Sequence, residues 1–335
     1  MGVMGEWAKE HHVTLYALSI DDGLLGEFGL DVEHVACGSS VPGWRSNTLA
    51  LMAAVRGMGR RLGDHDLYFM NLFPTHLVDR HPNVWYPHEP ARMLYDLYPE
   101  MLAREDIPAH SKLLTRAYFP LLRRLDRGLF RADKVVANSR YCSTYLKGIY
   151  GVESRVVYNG VSVVGKPRYG GDYVLSVSRL AGEKRVDAVV KAMKQVKGIT
   201  LKVAGEGPEE NRLRGMAGGN VEFLGRVEES GMHDLYANAL CTVYVPLREP
   251  FGRIPLESMA AGTPVIGCRE GGFTEVVEDG VDCFLVDPTP ENIAGRINYL
   301  RDNPGVCAEM GRRGYAKAQG YTWEKTARQL LEQAR

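Results

Sequence analysis

From Tyr173 to Leu300 the chain repeats one pattern: a short apolar run rich in β-branched residues, a turn, then an apolar stripe at helical spacing. Tyr173-Val-Leu-Ser-Val-Ser178, Thr200-Leu-Lys-Val-Ala204, Val221-Glu-Phe-Leu224, Cys241-Thr-Val-Tyr-Val-Pro-Leu247, Thr263-Pro-Val-Ile-Gly267 and Cys283-Phe-Leu-Val286 read as strands. Between them Val186, Val189, Val190 and Met193 keep the i, i+3, i+4, i+7 spacing of one helix face. A second helix lies near Glu229–Asn238, and Ile293, Ile297 and Leu300 stripe a third after Pro290. Strands joined through helices pair in parallel, because only a long crossover returns the chain to the same end of the sheet. Such a sheet is covered by helices on both faces.

The first half is less regular. Val13–Leu18, Leu67–Met70, Asn83–Tyr86 and Lys134–Ala137 have strand character, and Ser46–Arg61 and Ser111–Arg131 have helical character. At 335 residues the chain is long for one domain and comfortable for two. The glycine- and proline-bearing stretch 164–171 is the natural linker, so a second α/β domain over 1–163 precedes one over 172–318, with 319–335 as a terminal helix.

Composition removes several classes of function. Lys plus Arg and Asp plus Glu both number 41, which gives no support for nucleic-acid binding. Six scattered cysteines without a CxxC pair point to a reduced, cytoplasmic chain with buried thiols. No segment reaches the ~20 apolar residues that cross a bilayer, and Met1–Trp7 lacks a signal-peptide pattern. The nine histidines show no metal-ligand spacing, so no metal is expected.

The chemistry concentrates at strand ends. After the strand at 241–247 comes Glu249-Pro-Phe-Gly-Arg-Ile-Pro-Leu-Glu257, a loop entering a helix with Pro255 at its start and Gly262 at its stop. Glu249 and Glu257 thereby stand at the carboxyl end of one strand, where open α/β sheets bind ligands. Phe251 and Gly252, with Arg253 and Ile254 behind them, offer backbone N–H groups beside a helix start, a setting suited to phosphate. Arg179 and Lys184 bracket the turn after the strand at 173–178, and a guanidinium with an ammonium there can neutralise a diphosphate. The plain structural alternative is a surface pairing of these cations with Glu183 or Asp187. Gly205-Glu-Gly-Pro208 and Gly225-Arg226 end two more strands, and Glu270-Gly-Gly-Phe-Thr-Glu275 supplies small residues for close approach to backbone. In the first half His88 follows a strand, where it can hydrogen-bond a sugar hydroxyl or serve as an ordinary structural histidine. The basic stretch Lys112–Lys134 carries Arg116, Arg123, Arg124, Arg127 and Arg131 among leucines and aromatics. It suits either anionic lipid or a solvated helix face.

Together these pieces resemble the family-4 glycosyltransferases of the GT-B fold. Glu249…Glu257 is similar to that family's E-x7-E motif, and Arg179…Lys184 to its donor-phosphate pair. Ala132–Ser139, Val156–Val161 and Glu270–Val277 also match. Trp85-Tyr-Pro-His-Glu-Pro90 resembles mannosyltransferases that use lipid-linked or polysaccharide acceptors. The resemblance implies an α/β architecture of two Rossmann-like, doubly wound parallel-sheet domains facing a cleft, with a final helix from about Thr322 crossing back to the first domain. It implies a retaining enzyme that needs no metal or other cofactor and uses a GDP- or UDP-linked sugar as donor. Arg179 and Lys184 would hold the diphosphate, Glu249 the donor sugar and Glu257 the ribose. Gly205, Arg226, Phe251, Gly252, Arg253 and Ile254 would line the donor site, and His88 would reach the sugar from the other domain. Two departures stand out: the chain opens near the end of the family's first helix, with only Gly2 and Gly5 hinting at its Gly-rich loop, and Gly160-Val161-Ser162 replaces the usual Gly-Val-Asp.

The expectation is therefore a hexosyltransferase, mannose favoured, acting on a lipid-linked or glycan acceptor from the cytosolic face of a membrane, with no nucleic-acid partner. The alternative is a shortened, non-catalytic scaffold that binds sugar nucleotides or glycans. A dinucleotide oxidoreductase is disfavoured, since no Gly-x-Gly-x-x-Gly follows a strand with an acid about 20 residues on.

Overall fold

A computed structural model describes residues 2–20, 25, 32–39, 41, 47–105, 107–163 and 165–334. Ser46, Val164 and Arg335, which the sequence reading placed in a helix, the linker and the final helix, lie outside the described residues. The chain forms two compact units: Met1–Tyr158 with Ala327–Arg335, and Asn159–Thr326.

In the first unit β1 (Thr14–Ala17) and β2 (Glu33–Ala36) form a parallel pair. β3 (Tyr68–Asn71), β4 (Asn83–Tyr86), β5 (Lys134–Ala137) and β6 (Arg155–Val156) form a parallel sheet in that order. All four residues of β4 are buried, as its apolar, aromatic sequence dictates for an inner strand. The Ser139 hydroxyl accepts from the Cys142 N–H at 2.8 Å and starts the helix Arg140–Tyr150. One face of the sheet packs Val84, Tyr86 and Val136 against Trp7 of the helix Gly2–Trp7 and against Ala327 and Leu330 of the helix Trp323–Ala334. Trp7 Nε1 donates to the Ala327 carbonyl at 3.0 Å, and Lys134 Nζ to that of Ala334 at 2.9 Å.

The long helix Ala109–Gly128 is held from its inner side. Leu122 is buried with Leu77 and Leu94, and Tyr118, Phe119 and Leu125 pack against them. The same side carries Asp126, fully buried, with Oδ1 2.7 Å from His76 Nε2. Its Oδ2 accepts from the hydroxyls of Tyr95 at 2.6 Å and Tyr150 at 2.8 Å. A carboxylate can sit in that core because three partners replace its water.

The second unit is one six-stranded parallel sheet: β7 (Tyr173–Val177), β8 (Thr200–Ala204), β9 (Val221–Gly225), β10 (Ala239–Tyr244), β11 (Val265–Cys268) and β12 (Cys283–Val286). Their spatial order is β12-β11-β10-β7-β8-β9. Strand order therefore reverses between β7 and β10, the doubly wound arrangement. The run read as a strand over Cys241–Leu247 begins two residues earlier and leaves the sheet after Tyr244. Pro246 has no N–H to give a ladder, so the chain is released toward Glu249. Among the described residues no helix is long and apolar enough to cross a membrane.

Candidate active site

β7 and β10 are neighbours at the reversal point, so the segments leaving their carboxyl ends meet. After β7 come Ser178, Arg179 and the 3-10 turn Gly182–Lys184; after β10 comes the loop with Glu249. The Leu247 N–H donates to the Glu183 carbonyl at 2.7 Å, lacing the two segments together. Lys184 Nζ then donates to Glu249 Oε2 at 2.6 Å, the two side chains only 18% and 13% exposed. Lys184 thus has a partner 65 residues away in sequence, while Asp187 pairs instead with Lys191 at 3.0 Å. Arg179 is exposed, and its guanidinium makes no hydrogen bond or ion pair among the described residues.

Glycine lets the neighbouring turns close in. Gly205 has φ +128°, and a Cβ there would run into the Ser178 carbonyl oxygen, so the turn after β8 lies directly against the end of β7. Its N–H donates to Gly225 O at 2.7 Å, and the Arg226 N–H donates to Glu206 Oε1 at 3.3 Å. The turns after β7, β8 and β9 therefore form a row, with the exposed Arg226 at its far end. On the other side Gly271 (φ +92°) would place a Cβ 2.6 Å from the Glu249 carbonyl oxygen. The next N–H, of Gly272, donates to that oxygen at 2.7 Å. The loop after β11 thus grips the backbone of the residue whose carboxylate holds Lys184.

The helix Ile254–Ala260 carries Pro255 as its second residue and Glu257 in its first turn. Glu257 has partners of its own: Tyr236 donates its hydroxyl to Oε2 at 2.9 Å, and an Arg253 nitrogen lies 3.6 Å from Oε1. Burial first, and then the Glu257 charge, hold the Tyr236 hydroxyl protonated far above its ordinary range. Phe251 is 1% exposed, so its ring belongs to the core. Ile254 and Gly252 are half-buried. His88 lies in the first unit, just beyond β4; its carbonyl accepts from Asn138 Nδ2 at 2.8 Å and its ring stands 5.0 Å from that of Tyr86.

Three residues here escaped the sequence reading. Arg185, left-handed at φ +51°, forms an ion pair with Glu270 across the loops after β7 and β11. Ser178 directly follows β7, with its hydroxyl oxygen shielded and without a partner among the described residues. Tyr236 seats Glu257. A basic residue directly after Lys184 was the visible signal for Arg185, but nothing in sequence linked it to Glu270. Among the described residues no group of three or more His, Cys, Asp or Glu side chains could hold a metal ion.

The family model described as Glycosyltransferase Family 4 matches residues 4–164, and that described as Glycosyl transferases group 1 matches residues 165–317. The chain belongs to the family-4 glycosyltransferases. D-inositol 3-phosphate glycosyltransferase of Acidothermus cellulolyticus is 33% identical to it over 236 residues, 60% of this chain and 52% of that protein. Human alpha-1,3/1,6-mannosyltransferase ALG2 is 24% identical over 266 residues, 68% of this chain and 63% of its own. The chain therefore spans between half and two thirds of the length of these relatives. Anabaena HepE, solved with UDP-glucose, superposes with a TM-score of 0.75 at 21% identity, covering 99% of this chain and 93% of that one. The fold is GT-B, built of two Rossmann-like parallel-sheet domains.

Proposed function

We propose that this glycosyltransferase moves a hexosyl unit, mannose before others, from a nucleotide diphosphate sugar to a lipid-linked or polysaccharide acceptor, with retention of configuration. The reading rests on one observation above all: a lysine and a glutamate from loops 65 residues apart meet at the sheet's reversal point, and the lysine's own segment carries an exposed arginine, Arg179, whose guanidinium has no partner among the described residues. Arg179 and Lys184 would take the diphosphate, Glu249 would turn to the hydroxyls of the donor sugar, and Glu257 would hold the ribose. The acceptor hydroxyl would attack the anomeric carbon from the face the phosphate leaves. The new C–O bond forms as the sugar–phosphate bond breaks, and the departing phosphate oxygen takes the hydroxyl proton. Cations fixed where negative charge develops lower that barrier most effectively. No metal or further cofactor enters this scheme.

UDP-glucose in HepE and the mannosyltransferase name of human ALG2 motivate the donor choices. The test is transfer from UDP-glucose and GDP-mannose by the native protein, Arg179→Ala, Lys184→Ala and Glu249→Gln. Losing one preorganised charge contact at the leaving group should lower kcat by roughly 10²-fold or more. Undiminished turnover in the cation variants would refute the assignment. Donor binding with neither transfer nor hydrolysis would make the chain a sugar-nucleotide-binding scaffold. His88→Ala, assayed alongside, tests the role given to the first unit.

A further inference from the structure

We propose that the outer face of the helix Ala109–Gly128 docks on the surface of an anionic lipid bilayer. The inner face is fully occupied by the core around Leu122 and Asp126. On the opposite side Leu113 and Leu114 are 66% and 67% exposed, and Leu121 is 52% exposed. Leu113, Arg116, Ala117, Pro120, Leu121 and Arg124 follow one another at i, i+3, i+4, i+7, i+8 and i+11, so they form one stripe, and all are exposed. Arg127 continues it.

The charge on this stripe has one sign. No Asp or Glu occurs from Ile107 to Leu125, and Asp126 is turned inward and engaged. A helix face kept for water carries both signs interspersed. Leucines standing free among arginines suit a lipid headgroup layer instead: the leucines enter the acyl boundary while the arginines lie along it and meet lipid phosphates. Contact with a second copy of the same face is disfavoured, because it would set arginine against arginine with no carboxylate between. The inference stands on this helix alone and needs none of the sugar-transfer reading.

The test is co-sedimentation of the native protein with vesicles of phosphatidylcholine, and of phosphatidylcholine carrying about one third phosphatidylglycerol. Binding to the anionic vesicles alone, weakening as salt rises, is expected. Leu113→Ser/Leu114→Ser/Leu121→Ser should lower the bound fraction at least about fivefold with circular dichroism unchanged. Arg116→Gln/Arg124→Gln/Arg127→Gln should erase the preference for anionic lipid. Leu114→Trp should shift its emission to the blue on anionic vesicles only. Failure to sediment with anionic vesicles, leucine variants that bind as well as the native chain, or self-association lost in those variants without any vesicle binding would each overturn the proposal.

Discussion

Arg185 carries a conformation that side chains adopt at a cost of order 1 kcal/mol. The structure holds it there through its ion pair with Glu270, which joins the loop of Lys184 to the loop that grips Glu249. Arg185→Gly relaxes the backbone and removes only the pair. We expect it, and Glu270→Ala, each to weaken binding of UDP-glucose or GDP-mannose about three- to tenfold, with the double variant no worse than either single one. Additive losses in a calorimetric titration would show that the two residues act separately. Gly205→Ala should lower stability by at least about 2 kcal/mol, since a Cβ at φ +128° meets the Ser178 carbonyl. Urea unfolding with an unchanged midpoint would contradict that account. At this scale Arg179, Lys184, Glu249 and Glu257 stood out as candidates because they are charged side chains next to strand-ending turns, and the structure joins Lys184 to Glu249. Arg185–Glu270 and Tyr236–Glu257 were not, because an ion pair or a hydrogen bond between distant loops leaves no local trace.

Elements were readable where burial imposes a period. Every strand of the second unit announced itself through apolar runs, with ends displaced by one to three residues where proline or a neighbouring turn released the chain. In the first unit β2, the two-residue β6 and the helix Arg140–Tyr150 were missed, since Glu33-His-Val-Ala36 is mostly exposed and Arg155-Val156 is too short for any pattern. The helix Ala109–Gly128 was seen, but not that its single carboxylate is its inner anchor. Asp126→Asn keeps the shape and removes the charge that His76, Tyr95 and Tyr150 address. We expect a loss of about 2–4 kcal/mol in urea unfolding; a variant as stable as the native chain would mean the knot contributes nothing. At the amino ends of β4 and β5, His81 bonds Asp133 and Asp79, and those bonds, Asp133 foremost, raise its pKa above the ordinary value. A raised folded-state pKa stabilises below the unfolded value of about 6.5 and fades as pH climbs through the folded one. Asp133→Asn should therefore bring the His81 midpoint in an NMR titration down, and an unmoved midpoint would rule out this partner.

The whole molecule keeps its thiols out of reach. All six cysteines are free and buried, and burial pushes Cys268 and Cys307 up to about 11. A thiol-reactive dye should give little prompt colour with the native protein and the full six equivalents after denaturation; rapid native labelling would show that the interior opens. The two units also differ in how they use the chain. The second is one continuous stretch, whereas the first closes its core with Ala327 and Leu330. Leu330→Ala should cost about 2–5 kcal/mol, visible as selective proteolysis of residues before 158 with the second unit left intact; cleavage confined to the second unit would refute the division. On the ribosome this sets an order of events. The second unit can mature as soon as its own residues emerge, while the unit synthesised earlier must wait, one layer short, until the residues that seal it are made.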